Sequence, residues 1–335
     1  MGPAKVKVDI NYIAMKLNMA KSSVSKALND RPGVSEATKE KVRKFTSKLN
    51  YTPDRFAQAL KMKKSKLLGV VMHEMENGFF VDIVKSVTRE AQKNGYQAVF
   101  ACTEASAENE AAIIDDFISR YIEGLIIFPP CIGETSSSLK NLNVHENPFV
   151  IVDNYLPGID APFIGTDFED GGYIATKYLL ENGHKNIAAV LGQPKLVSTH
   201  ERLSGYSKAL KEAGISFKEQ YVRYGSHTAE SGQQNTENLL KAFPEITAIF
   251  SANPAISEGA AKATTALGRK IPDDISLVDF GGDRFTAVNQ KTEIIGQTAT
   301  RCLIRLINGD KIPERTIIKP EIIDRNSVRE YKESL

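Results

Sequence analysis

Apolar and polar positions over the first fifty residues follow a helical beat. Ile10, Ile13, Ala14 and Leu17 fall at i, i+3, i+4 and i+7 behind Asp9, a good N-cap, and the spacing predicts a first helix. Asn18-Met19-Ala20 breaks it. Val24, Ala27 and Leu28 mark the inner side of a second helix over 21–29, whose other side shows Lys21, Ser22, Ser25 and Lys26. Asp30-Arg31-Pro32-Gly33 is a turn cluster, and Ser35 then caps a third helix with Val42, Phe45 and Leu49 as its buried stripe. Together these make an all-α helix-turn-helix domain over 1–52. Segment 54–62 can form a further short helix, marginal alone because it has little to pack against, inside a linker over 53–66.

From Leu67 onward the beat changes. Short apolar runs at 67–72, 97–102, 124–128, 149–152, 187–191, 248–251 and 276–279 read as strands. Amphipathic stretches such as 80–94 and 107–119 lie between them. Gly95, Gly183, Gly214 and Gly268 each follow an apolar stripe, as a left-handed helix C-cap requires. The alternation predicts an α/β body of parallel sheets with helices on both faces. It holds more units than one sheet takes, so two similar doubly wound lobes are expected over 67–335.

Charge adds a function class. The first 66 residues carry a net +11 and the remaining 269 a net −9, which the whole-chain value of +2 conceals. A basic module on an acidic body suits a regulator of nucleic acid: phosphate attracts the one and repels the other. The second helix offers short polar and cationic side chains at its N-terminal end, where they can reach base edges in the major groove. No apolar run is long enough to span a bilayer, and the first residues, MGPAKVKVDIN, have no apolar core of a signal peptide. Three scattered cysteines suggest a reducing cytoplasm, and five scattered histidines lack metal-ligand spacing, so no cofactor or metal is expected. A transport solute-binding protein would need export and no basic module. An enzyme on this fold is disfavoured because the turn HEMENGFF after the first strand has no glycine-rich phosphate loop, and no G-x-S-x-G elbow occurs.

The runs AMKLNMAKSSVSKALNDRPGVSEATKEKV and LNYTPDRFAQAL resemble the lactose/galactose repressor (LacI/GalR) family. The likeness continues through ENGFF, GLIIFPP, DFEDGGYIAT, NGHKNIAAVLG, ERLSGY and KIPDDISLVDF, nearly to the end of the chain. The resemblance implies a DNA-binding transcriptional repressor with a periplasmic-binding-protein-like body. A small-molecule effector binds between the two lobes, and a homodimer grips a pseudo-palindromic double-stranded operator. It implies major-groove contacts from Lys21, Ser22 and Lys26, phosphate contacts from Tyr12, Ser25, Asn29 and Ser35, hinge contacts from Arg55 and Ala57, and a minor-groove wedge at Leu60. It also places one lobe near 67–166 and 291–317 and the other near 167–290 and 318–328. Ala20 departs from the family, which usually has a capping Ser there, and Lys26 replaces a more usual Arg.

Ligands of doubly wound sheets sit at the carboxyl ends of strands. Phe79 and Phe80 follow the first strand and could stack on a ring. Arg202 follows a loop holding Ser198 and Thr199 and opens a helix, where its fork suits hydroxyls or anions; the resemblance places a ligand-binding Arg there. Asn253 ends a strand, Asp167 starts a helix, and Gln290 matches a cleft Gln of the family. Two departures matter. Asn253-Pro254 stands for the family's Asn-Asp, and Gly281 stands for its Asp after the strand ending at Phe280, in a stretch about eight residues short. Fewer acceptors in the cleft suggest an effector more anionic or less hydroxyl-rich than a neutral monosaccharide, such as a sugar acid or phosphate.

Overall fold

A computed structural model describes residues 9–49, 51, 65–75, 78–129, 137–142 and 147–332. The chain divides into two compact units that meet at Ser65 and Lys66.

The first unit is a three-helix head of α1 (Ile10–Leu17), α2 (Lys21–Leu28) and α3 (Glu36–Lys48). Asp9 caps α1 by accepting from the Tyr12 amide at 2.8 Å, and Ser35 caps α3 through Thr38 N. Asn18 takes a left-handed conformation at the end of α1, which turns the chain into α2. Ile13, Ala14, Val24, Ala27 and Val42 form the core, with Ile10, Leu17, Leu28 and Phe45 packed around it. Leu49 is the C-cap of α3 and half-buried; Thr46 fills its expected inward place and bonds back to Val42 O at 3.0 Å. Segment 52–64, with its expected helix, lies outside the described residues.

The body holds two six-stranded sheets. Strands β1 (Leu67–Met72), β2 (Gln97–Cys102), β3 (Gly124–Ile127), β4 (Phe149–Val152), β5 (Phe163–Thr166) and β11 (Arg315–Ile318) form the first, in the order β11-β5-β4-β3-β1-β2, all parallel. Helices α4 (Gly78–Lys93) and α11 (Thr292–Ile307) pack together on it, and α5 (Ala107–Ser119) and α6 (Ser137–Leu142) pair elsewhere on the same sheet. Strands β6 (Ile187–Leu191), β7 (Val222–Tyr224), β8 (Ala248–Ser251), β9 (Ser276–Phe280), β10 (Thr286–Asn289) and β12 (Glu321–Ile323) form the second, in the order β12-β10-β9-β8-β6-β7. Only β12 runs antiparallel, against β10. Helices α7 (Phe168–Glu181) and α8 (Val197–Glu212) pack as one pair on this sheet, and α9 (Ala229–Ala242) and α10 (Pro254–Ala266) as another.

The chain passes between lobes three times: from β5 to α7, from β10 to α11 and from β11 to β12. Five strands went unread in the sequence: β5, β7, β10, β11 and β12. The short stretch after Phe280 is a tight link, Gly281 to Phe285, between adjacent parallel strands β9 and β10.

Candidate functional site

In the head, Lys21 and Ser22 are exposed at the open N-terminal end of α2, Ser25 is half-buried one turn on, and Lys26 is exposed. The Lys26 ammonium lies over Gly33, 3.1 Å from where a side chain would begin; with φ of +95° as well, only glycine suits the turn. Asn29 spends its amide on Ser25 O at 2.8 Å, ending α2, and Ser35 spends its hydroxyl on Thr38. Tyr12 is half-buried. Ala20 has the extended conformation of an N-cap and offers no side-chain bond. Arg55, Ala57 and Leu60 lie outside the described residues.

In the body, the carboxyl ends of both sheets line a chain of three connected compartments. The middle one, about 80 Å³, brings together six of the seven residues singled out from sequence: Phe79, Phe80, Ser198, Arg202, Asn253 and Gln290. Asp167 lines the compartment on the α7–α8 side, of about 430 Å³. The third, on the α10–α11 side, is about 660 Å³.

Arg202 is the centre. Its guanidinium carbon lies 4.5 Å from the Phe168 ring centroid and 4.1 Å from that of Phe280. Two aromatic faces hold the flat cation, an arrangement that a lysine cannot reproduce. Close packing of α7 on α8 sets its position: a side chain at Gly172 would meet Arg202 O at 2.2 Å, and one at Gly205 would meet Glu169 O at 2.0 Å. Arg202 does not open its helix, as the sequence suggested. The helix begins at Val197 behind Leu196, so Ser198 and Thr199 form its first turn and Arg202 its second. Ser-Thr reads as loop, and Leu196 gives no polar capping signal.

Phe80 is 3% exposed, edge-on to Phe128 and His73, and belongs to the first lobe's core; Phe79 is the half-buried one of the pair. Asn253 accepts from Ile256 N at 2.8 Å as the cap of α10. Gln290 accepts from Thr166 Oγ1 at 3.3 Å. Asp167 accepts from Asp170 N at 2.9 Å and caps α7.

Sequence reasoning missed Asp153, which follows β4 and lines both the middle and the α7–α8 compartments. Its φ of +73° is unusual for a residue with a side chain, and such strain gathers at functional sites. Burial pushes its carboxyl above the usual range, against the pull of His73 and Arg202. Its place directly after the strand ending at Val152 is the signal that marks it, since ligands of doubly wound sheets meet strand ends. Glu74 also lines the middle compartment. The cleft therefore holds carboxyl groups as well as Arg202. Asp279 is not one of them: it is 1% exposed, bonds Phe280 N, and burial raises its pKa to about 6. His227, also unforeseen, is held neutral, its pKa lowered to about 4 first by burial and then by the Arg202 charge.

Among the described residues no group of three or more His, Cys, Asp or Glu is placed to hold a metal ion. Among the described residues no helix is long and apolar enough to cross a membrane.

Two family profiles match this chain. "Bacterial regulatory proteins, lacI family" covers residues 9–54, and "Periplasmic binding protein domain" covers 68–311. The HTH-type transcriptional repressor PurR of Vibrio campbellii is 28% identical over 330 residues, which span 96% of this chain and 98% of that one. PurR of Histophilus somni is 29% identical over 331 residues, with the same coverage. Among solved structures, a Lac repressor dimer bound to operator and the anti-inducer ONPF superposes with a TM-score of 0.84 at 26% identity, covering 96% and 99% of the two chains. The complex of the transcriptional regulator CelR with cellobiose superposes at 0.71 and 26% identity, covering 96% and 100%.

Proposed function

From the premise that the chain belongs to the lacI family of bacterial regulatory proteins, with a periplasmic-binding-protein domain as its body, we propose that it is a cytoplasmic homodimeric repressor released or recruited by a neutral, hydroxyl-rich effector. Members of this family are DNA-binding transcriptional repressors regulated by small molecules. Each head lays α2 in the major groove of one half-site. Lys21, Ser22 and Lys26 face base edges there, and Tyr12, Ser25, Asn29 and Ser35 face phosphates. In the linker, Arg55 and Ala57 contact DNA and Leu60 wedges into the minor groove.

One observation carries the effector class: the Arg202 fork shares its compartment with two carboxylates, Asp153 and Glu74, and two amides, Asn253 and Gln290. Donors and acceptors interleaved around aromatic rings match the hydroxyls and C–H faces of a sugar, while the carboxylates disfavour an anion. The Lac repressor and CelR structures, with ONPF and cellobiose, support the same class. A homodimer draws support from the Lac repressor dimer and from Val99 and Phe100, exposed at 38% and 50% on edge strand β2.

The test is fluorescence anisotropy of the full chain on fragments of its own genome, with neutral sugars, sugar acids and sugar phosphates added in turn. A fragment bound with affinity that falls about a thousandfold between 50 and 200 mM salt, and altered by a neutral sugar, is expected. Failure to bind any fragment under any addition overturns the repressor reading. A response to sugar acids or phosphates alone overturns the effector class.

A further inference from the structure

The residues that orient the effector occupy the smallest space in the cleft. At about 80 Å³ the middle compartment falls far below the roughly 300–1,000 Å³ typical of ligand pockets. A molecule that engages Arg202 and Asp153 must therefore extend into a neighbouring chamber. The α7–α8 chamber, about 430 Å³, lies within that range and is continuous with the waist through Asp153, Asn154, Phe168 and Ser198.

We propose that the effector is an uncharged carbohydrate of at least two rings, the first at the waist and the second in this chamber against Tyr155 and Glu201. The proposal rests on the cleft reading above and adds a second subsite to it.

Tyr155 is 43% exposed, which is high for a large aromatic side chain, and it is held rather than loose. Its ring meets Phe163 edge-on with centroids 5.5 Å apart, and the Arg315 guanidinium lies 4.7 Å from its centroid. A fixed, open aromatic ring suits the C–H face of a pyranose. Glu201 lines the same chamber and is half-buried, and its carboxylate makes no hydrogen bond among the described residues. Burial first, and then the Asp167 charge, push its carboxyl above the ordinary range. Sugar hydroxyls would restore the donors that burial took from it, and an anionic ring would meet its charge instead.

The larger α10–α11 chamber is less suited. Among the described residues its ring-bearing walls are Phe79 and His227, both shared with the waist; Arg325 bonds Phe285 O at 3.0 Å, and Asp82 pairs with Lys85 at 3.0 Å.

The experiment is titration calorimetry of the full chain with glucose, galactose, cellobiose, maltose and lactose, repeated on Tyr155→Ala and Glu201→Gln. Melting curves verify that both variants fold. At least one disaccharide is expected to bind tenfold or more tighter than either monosaccharide. Tyr155→Ala should erase that margin, and Glu201→Gln should reduce it. A monosaccharide that binds as tightly as its disaccharide overturns the second subsite and leaves the cleft reading standing. A margin that survives in both variants overturns its placement in this chamber. No heat from any sugar of either length overturns this inference and the hydroxyl-rich effector together.

Discussion

Replacing Ala20 by Ser should stabilise the DNA-binding head without touching its recognition side chains. Both α1 and α3 start on a side chain that bonds a backbone amide, from Asp9 and Ser35; α2 starts on Ala20 with none. Ala20 already has the backbone of a cap, φ −64° and ψ 140°, so serine fits without strain. The Ser23 and Val24 amides bond Ala20 O at 2.9 and 3.1 Å, which leaves Ser22 N–H with no acceptor inside the helix. A hydroxyl there should contribute about 1 kcal/mol, within a range of roughly 0.5–2. The effect should be large for α2 because it has only eight residues, two of them in the core. For a domain of this size that energy raises the melting temperature by about 4–8 °C. Differential scanning calorimetry of the full chain, with head and body as separate units, reads it directly. Ser35→Ala should lower the same transition by a similar amount. A head transition that stays in place or falls in Ala20→Ser, while Ser35→Ala behaves as expected, would refute the claim that an empty cap limits this helix.

Asp153→Asn should have opposite effects on stability and binding. Burial raises the folded pKa of Asp153, so ionisation at neutral pH opposes folding and the amide should raise the body's melting temperature; effector affinity should fall at least tenfold by calorimetry. His184 gives the reverse pH dependence. It bonds Thr247 Oγ1 at 2.9 Å and Arg329 O at 3.1 Å, and burial lowers its pKa from 6.5 to about 4. Its contribution is complete above pH 6.5 and is lost as pH falls through 4, because the unfolded chain takes up the proton first. Urea midpoints at pH 7 and 5 should therefore differ less in His184→Gln than in the parent. Phe100→Asp should convert the dimer to monomer in sedimentation at micromolar concentration, and an unchanged dimer would clear β2 of a role in the interface.

What could be read from the sequence depended on length of pattern. Strands with five or six apolar residues, such as β1 and β6, stood out, and the left-handed glycines after α4, α7, α8 and α10 marked helix ends. The unread strands have three or four residues, but so do β4 and β8, which were legible because all four of their positions are buried and three or four are apolar. In β11 and β12 every position is exposed or half-buried, so burial left no apolar mark on the sequence. Similarly, Arg202 was legible as a ligand group, but the pair of rings that grips it was not, since Phe168 and Phe280 lie on different elements and converge only through sheet order. Asp279 shows the limit of counting carboxylates by proximity in sequence. Side chains alternate along a strand, so Asp279, one residue before Phe280, points away from the ring that meets Arg202.

The ligand compartments and the lobe crossings share residues. Asp167 stands at the first crossing and Gln290 at the second, and the hydrogen bond from Thr166 to Gln290 ties these two together. Lys291, left-handed at φ +56°, donates its backbone amide to Asn289 Oδ1, and its ammonium reaches Glu321 of the third crossing at 3.0 Å. The contact of Arg202 with Phe168 lies in the same region, since Phe168 is the first residue of α7 after the first crossing. An effector that bonds Gln290 and Arg202 would therefore act on the short segments that join the lobes, and would need no relay through either core. A coupling of about 1–3 kcal/mol, typical of such switches, is the size of one or two charged hydrogen bonds. One or two such bonds, made in one lobe arrangement and broken in the other, would be enough to set how firmly the protein holds its operator.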